Sequence, residues 1–287
     1  MSDEVRHQND VFKVDAQHTH TMLAPPTVTS SAMPDQFDIP IDSIPLPSLG
    51  VCYPMTSTLY GKERIDVKAM TAKEEDILTS RALLKNGTVI THLLRSCIVE
   101  NGINPDEMLT GDRTALMIAL RITGYGSDYK LEVQCPACEE KQEFTFELAG
   151  LPVKFLEIQP IAQGVNEFEL IMPVRRNKIT YRFLTGADEA ELLQDRQSRK
   201  KKLGTQVDTA ITSNLLRQIV SVDGKYDRGL IARYVNSMPA RDSRFLRKTI
   251  SETEPGMEMR AEMKCSACGE VSEVDVPIGA SFFWPDA

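Results

Sequence analysis

The chain has 287 residues, 41% of them hydrophobic and 26% charged, which is the balance of a globular protein and excludes disorder throughout. Its formal charge of -8 argues against nucleic acid as the main partner, since displacing counterions from phosphates takes an excess of lysine and arginine. No stretch approaches the ~20 apolar residues of a membrane span, and the first residues lack the basic and apolar regions of a signal peptide. The chain is therefore expected in a reducing cytoplasm, where paired cysteine motifs hold metals or do redox work rather than form disulfides.

Residues 1–45 read as an extended arm. They carry His7, His18, His20, Pro25, Pro26, Pro34, Pro40 and Pro45 but few regularly spaced apolar positions, too little to offset the entropy of ordering in isolation. His18 and His20 are spaced to share a metal, yet the arm supplies no other strong ligand. The segment Ile44-Pro-Leu-Pro-Ser-Leu-Gly50, followed by Tyr53-Pro54, reads as an extended docking strip, with Ile44, Leu46 and Leu49 as candidate partner contacts.

A helical domain follows over residues 46–126. Thr71-Ala-Lys-Glu74 has the spacing of a capping box and Asn86-Gly87 that of a left-handed stop, so a helix is expected between them with Ile77, Leu83 and Leu84 buried. A second helix over about 88–100 carries Val89, Ile90, Leu93, Leu94, Cys97 and Ile98 at helical spacing, closed by Asn101-Gly102. Asp112 is placed to cap a third helix running through Ile122, and Gly124-Tyr-Gly126 reads as a hinge.

The period then changes to two. Leu131-Glu-Val-Gln and Phe144-Thr-Phe-Glu-Leu148 flank Cys135-Pro-Ala-Cys138, giving strand, knuckle, strand; alternation over 154–159, 167–172 and 178–184 adds a small antiparallel sheet. These elements make up residues 127–184. Helices are expected at about 187–203, 207–220, 227–236 and 240–252 within a helical insertion over 185–256, with Ser237 capping the last and the Asp223-Gly224 turn between two of them. The run Arg196-Gln-Ser-Arg-Lys-Lys-Lys202 fits the solvated face of an amphipathic helix. Residues 257–287 hold a second alternating pair around Cys265-Ser-Ala-Cys268, so the two knuckles form a weak internal repeat, and end on Phe282-Phe-Trp284, an aromatic tail that either closes the core or anchors a neighbour.

Four thiolates suit zinc, because tetrahedral coordination needs four ligands and a two-residue spacer turns both sulfurs of one knuckle inward. Cys135, Cys138, Cys265 and Cys268 are thus expected to hold one structural zinc per chain, a closed shell with no position for substrate. Redox chemistry is disfavoured, since a reactive CxxC sits at a helix start rather than in a strand hairpin. An iron–sulfur cluster uses the same ligand type, and each knuckle can instead complete a site with another subunit. Cys97 reads as a packed thiol and His92 as a partly buried structural histidine. Phosphate-binding glycine loops, a nucleophile elbow, a metalloprotease helix and paired catalytic carboxylates are not found.

Several short motifs in a fixed order carry a family resemblance: Met70-Thr-Ala-Lys-Glu-Glu-Asp-Ile-Leu78, then Leu109-Thr-Gly-Asp-Arg113 leading through Ile122-Thr-Gly-Tyr-Gly126 to Cys135-Pro-Ala-Cys138, the second cysteine hairpin, and Ser281-Phe-Phe-Trp-Pro285. Over about residues 45–287 the chain resembles the baseplate proteins of contractile-tailed bacteriophages, of the T4 hub type. The resemblance implies a virion tail protein made in the host cytoplasm, without catalytic activity, whose candidate partners are other baseplate and tail proteins and further copies of itself, with no direct nucleic-acid or membrane partner. An assembly chaperone absent from the finished particle is the alternative, and a zinc-dependent nucleic-acid-processing enzyme a more distant one. The fold class expected is α+β: an N-terminal extended arm, a small helical domain, and an antiparallel zinc-ribbon-like sheet with a helical insertion.

Overall fold

A computed structural model describes residues 39–203, 209–276, 278 and 280–283. The arm up to residue 38, with its histidines, and Trp284 lie outside the described residues. Strand β1 (Ile41–Pro45) pairs antiparallel with β2 (Arg64–Lys68); Ile65 and Val67 of β2 face the core while Arg64 and Asp66 point outward, the period-two pattern of a half-buried strand.

Helix α1 (Ala72–Thr79) starts at Thr71, whose backbone N–H donates to Glu74 Oε2 at 2.9 Å, as the capping-box spacing predicts. The same carboxylate accepts from Ser96 Oγ at 2.5 Å, which ties α1 to α3 (Val89–Cys97). The single helix expected over residues 71–86 is interrupted. Ser80 adopts ψ 105 and separates α1 from α2 (Arg81–Asn86), in keeping with the preference of serine for helix ends. Gly87, at φ 71, closes α2. Helix α4 (Thr110–Tyr125) is the central element: Leu116, Ile118, Leu120 and Arg121 are all at most 2% exposed, and Gly126, at φ 86, ends it.

Strands β3 (Asp128–Gln134) and β4 (Lys141–Glu147) form the first cysteine hairpin. After β5 (Val153–Lys154), β6 (Phe168–Ile171) and β7 (Lys178–Tyr181) come α5 (Gly186–Leu203), α6 (Ala210–Gln218), β8 (Ile219–Val222), α7 (Arg228–Asn236) and α8 (Ala240–Thr253). Strand β9 (Gly256–Met257) then leads into the second cysteine hairpin, β10 (Arg260–Lys264) and β11 (Val271–Asp275). Apolar side chains from every region join one core.

The α+β class holds, but the zinc-ribbon-like sheet does not form as one sheet. Among the described residues the strands make five small sheets: β1–β2, β3–β4, β5–β9, β10–β11 and the three-stranded β6–β7–β8. Three local expectations are also corrected. The alternation over 154–159 yields only the β5 pair; the chain beyond is extended but bonds to the strip, with Leu156 N–H donating to Pro47 O at 2.9 Å. The helix expected to 220 stops at Gln218 because Ile219-Val-Ser-Val222, rich in β-branched residues, pairs with β7 as β8. Ser237 closes α7 rather than opening α8: its Oγ donates to Arg233 O at 2.7 Å, and the residue before α8 is Pro239.

Candidate metal centre

Each knuckle is a tight turn held by its own backbone. In the first, Cys135 N–H donates to Glu140 O at 2.9 Å and Glu139 N–H to Cys135 O at 2.9 Å; in the second, Cys265 N–H donates to Glu270 O at 2.8 Å and Gly269 N–H to Cys265 O at 3.0 Å. The turn needs a left-handed residue just after the second cysteine. Gly269 supplies it at φ 75, whereas the first knuckle uses Glu139 at φ 61, a conformation that disfavours a residue with a Cβ.

The β5–β9 ladder pairs Val153 with Met257 at the base of the two hairpins. At the tips Gln142 crosses between them: its Oε1 accepts from Ser266 N at 2.9 Å and Ser266 Oγ at 2.7 Å. The four sulfurs then meet. Cys135 Sγ lies 3.8 Å from Cys268 Sγ, Cys138 Sγ lies 3.6 Å from Cys265 Sγ, and all four fall within 4.8 Å of one another. A tetrahedron with metal–sulfur bonds of about 2.3 Å has edges of about 3.8 Å, so the spacing fits one tetrahedral ion. It is far from the ~2.05 Å of a disulfide, and all four cysteines are free thiols. Cys135 and Cys265 are buried, Cys138 and Cys268 exposed. The Cys268 amide, joined by that of Ala267, holds the Cys265 thiol down at about 6 against desolvation, whereas Cys138, despite the Glu140 amide, is pushed up to about 12 by its hydrogen bond to Cys268, so in the metal-free cluster the sulfurs share protons that a metal would displace.

The remaining cysteines and His92 are elsewhere. Burial pushes the Cys97 and Cys52 thiols up to about 12, and both sit in the core as inert groups. His92 is exposed on the solvent side of α3, a correction to the partly buried role expected, since its neighbours Thr91 and Leu93 take the inward positions.

Of the candidate partner contacts, Leu46 and Phe282 are 0% exposed and Phe283 is 5% exposed; all three face this chain's own core, while Ile44 and Leu49 are half-buried. Two charged residues of α4 explain that placement, and neither was singled out for this. Asp112 is fully buried and does not cap its helix. It accepts from Ser48 N at 2.9 Å, Ser48 Oγ at 2.5 Å and Tyr53 Oη at 2.5 Å, and Tyr53 Oη in turn accepts Leu109 N–H at 2.9 Å. Desolvation raises the Asp112 pKa, opposed by these donors. Arg121, 0% exposed, donates to three backbone carbonyls: Phe282 O at 2.7 Å, Gly126 O at 2.5 Å and Asp128 O at 2.9 Å. Asp112 thus holds the strip and Arg121 the tail.

A protein-family model described as T4 bacteriophage base plate protein matches residues 52–284, which takes in both knuckles. The chain belongs to that family. The match begins after the strip, and no curated protein and no solved structure matches the chain. Baseplate membership makes this a non-catalytic structural protein of a phage tail that acts with other baseplate components.

Proposed function

We propose that this baseplate protein is a constituent of the finished contractile tail, in the hub or its immediate surroundings, assembled in the host cytoplasm, and that it joins neighbouring subunits from a body rigidified by one zinc ion. The family match over residues 52–284 carries the reading; the sulfur spacing supports its metal part. Zinc bound by Cys135, Cys138, Cys265 and Cys268 stabilises the fold and is closed to substrate.

The strip meets partners through its half-exposed residues Ile44 and Leu49, with Trp284 adding an aromatic contact. Leu46, Phe282 and Phe283 support those contacts from inside, by fixing the strip and the tail on α4. Mass spectrometry of purified particles tests the role: a stoichiometric signal is expected, and complete absence from finished tails would make the protein an assembly factor instead. Zinc analysis of the purified protein is expected to return one ion per chain.

A further inference from the structure

We propose that the solvent face of α8 binds the two-knuckle end of a second copy of this chain. The inference goes beyond the structural role proposed above and does not depend on which region of the baseplate the protein occupies.

Helix α8 turns Asp242, Leu246 and Ile250 inward. Its outward face carries Arg241, Arg244, Arg247 and Lys248, all exposed, with Phe245, which is 38% exposed, at the edge beside Arg241 and Lys248. Lys248 has a partner in Glu252 at 3.5 Å. Arg241, Arg244 and Arg247 have no carboxylate partner among the described residues, and Arg176 adds a further exposed cation on the β6–β7 turn. That turn is fixed to the start of α8, because Asp242 accepts from Val174 N at 2.8 Å and Arg175 N at 3.1 Å. Within a chain of net charge -8, this is a concentrated positive face flanked by an exposed aromatic, and arginine and aromatic residues are the types enriched at interfaces.

The complementary surface is on the same chain. From Asp128 to Glu147 six carboxylates stand against two lysines, and from Glu258 to Asp275 five stand against two cations. Their arrangement is internally repulsive. Asp128 lies directly across from Glu147, Glu132 from Glu143, and Glu262 from Glu273, and like charges in directly opposed positions destabilise a ladder. Lys141 relieves one of these pairs through Glu132, at 2.9 Å. Four thiolates around a divalent ion add further negative charge to this end. A cationic helix face laid against it removes both imbalances at once. Nucleic acid is the poorer occupant, since the acidic end of the same molecule repels phosphate.

The two surfaces are different patches, so the contact is head to tail and builds a ring or an open chain rather than a closed pair. Sedimentation of the full-length, zinc-loaded protein tests this. Self-association is expected to weaken by roughly tenfold or more between about 50 mM and about 500 mM salt, as the screening length contracts. Two variants then reverse one surface each: Arg241→Glu with Arg244→Glu, and Glu143→Lys with Glu273→Lys. Each alone is expected to remain monomeric, and an equal mixture of the two is expected to associate again, which also shows that both are folded. The proposal is overturned if wild type stays monomeric at low salt, if either variant alone associates like wild type, if the mixture stays monomeric, or if the arginines are needed only for retention of duplex DNA.

Discussion

Arg121 Nε donates to the carbonyl oxygen of Phe282 at 2.7 Å, across 161 residues of sequence. The same guanidinium holds the end of α4 at Gly126 and the start of β3 at Asp128, so three chain segments converge on one cation that has only carbonyl partners among these bonds. Phe282 is further packed edge-on against Tyr129, with ring centroids 5.2 Å apart. Removing the head group leaves the buried Phe282 carbonyl and two partly buried ones without this donor. Arg121→Met is expected to lower unfolding stability by about 3–4 kcal/mol and Arg121→Lys by about half that, because an ammonium cannot reach three acceptors in a fork. Urea unfolding measures both; equal losses would show that the fork geometry is unimportant.

The Asp112 cluster predicts a graded series. Asp112→Ala strands the Ser48 amide and two hydroxyls in the core and is expected to cost about 3–5 kcal/mol, while Tyr53→Phe removes one bond to Asp112 and the acceptor for Leu109 N–H and costs about 1–2 kcal/mol. The sign of the pH effect follows from the raised pKa of Asp112. Between the ordinary carboxyl value and the raised one the folded state holds more proton than the unfolded, so this residue's contribution is fully present below the ordinary value and declines as pH rises through the window. The stability of wild type relative to Asp112→Asn is therefore expected to be greatest in acid and to shrink with rising pH. A difference that grows with pH would contradict the assignment.

Metal removal tests the clip. Cys135 and Cys268 are 133 residues apart and Cys138 and Cys265 are 127 apart, and cross-linking a loop of that order constrains the unfolded chain by roughly 4–5 kcal/mol in the chain-entropy treatment. Chelation is expected to lower the unfolding midpoint by a corresponding amount. Cys135→Ser and Cys268→Ser are each expected to lose the ion, although they lie in different knuckles. Normal zinc content in both variants would refute a shared site.

The left-handed position after each knuckle predicts opposite outcomes at equivalent places. Glu139→Gly relieves a positive φ and is expected to stabilise the protein by about 0.5–1 kcal/mol, whereas Gly269→Ala is expected to destabilise it by about 1 kcal/mol. Calorimetry of the zinc-loaded proteins distinguishes them.

Gly111 predicts a close approach. A Cβ there would stand 1.8 Å from Pro255 O, backbone that has no easy way to move, while one at Gly150 would meet nothing within 4 Å. Gly111→Ala is expected to cost about 2–4 kcal/mol and Gly150→Ala almost nothing. Because Pro255 immediately precedes β9, the first variant is also expected to weaken zinc binding, measured by competition with a chelator.

What was legible in the sequence was local. The Cys-x-x-Cys spacing, the Thr71–Glu74 cap and the Gly87 stop each depend on residues a turn apart, and the helix limits in the insertion fall within a few residues of those expected, whereas Gly124-Tyr-Gly126, expected as a hinge, forms the last turn and the end of α4. What was missed depends on partners far along the chain. Asp112 looks like a cap until Ser48, 64 residues earlier, is brought beside it, and Arg121 carries no local signal of its role, which exists only once the tail closes over it. The β8 segment shows the same limit: Ile219-Val-Ser-Val222 continues an apolar pattern compatible with helix, and only pairing with β7 decides it.

The distance along the chain between the two knuckles also sets a time. At ~5–20 residues per second, synthesis of the intervening segment takes roughly 6–26 s, and throughout it Cys135 and Cys138 are half a ligand set exposed at the ribosome. A chain released before Cys265 and Cys268 have emerged lacks half of this ligand set. Metal capture by one chain would therefore wait until both knuckles have emerged, and a baseplate that accepted only the metal-closed form would exclude copies cut short before Cys265.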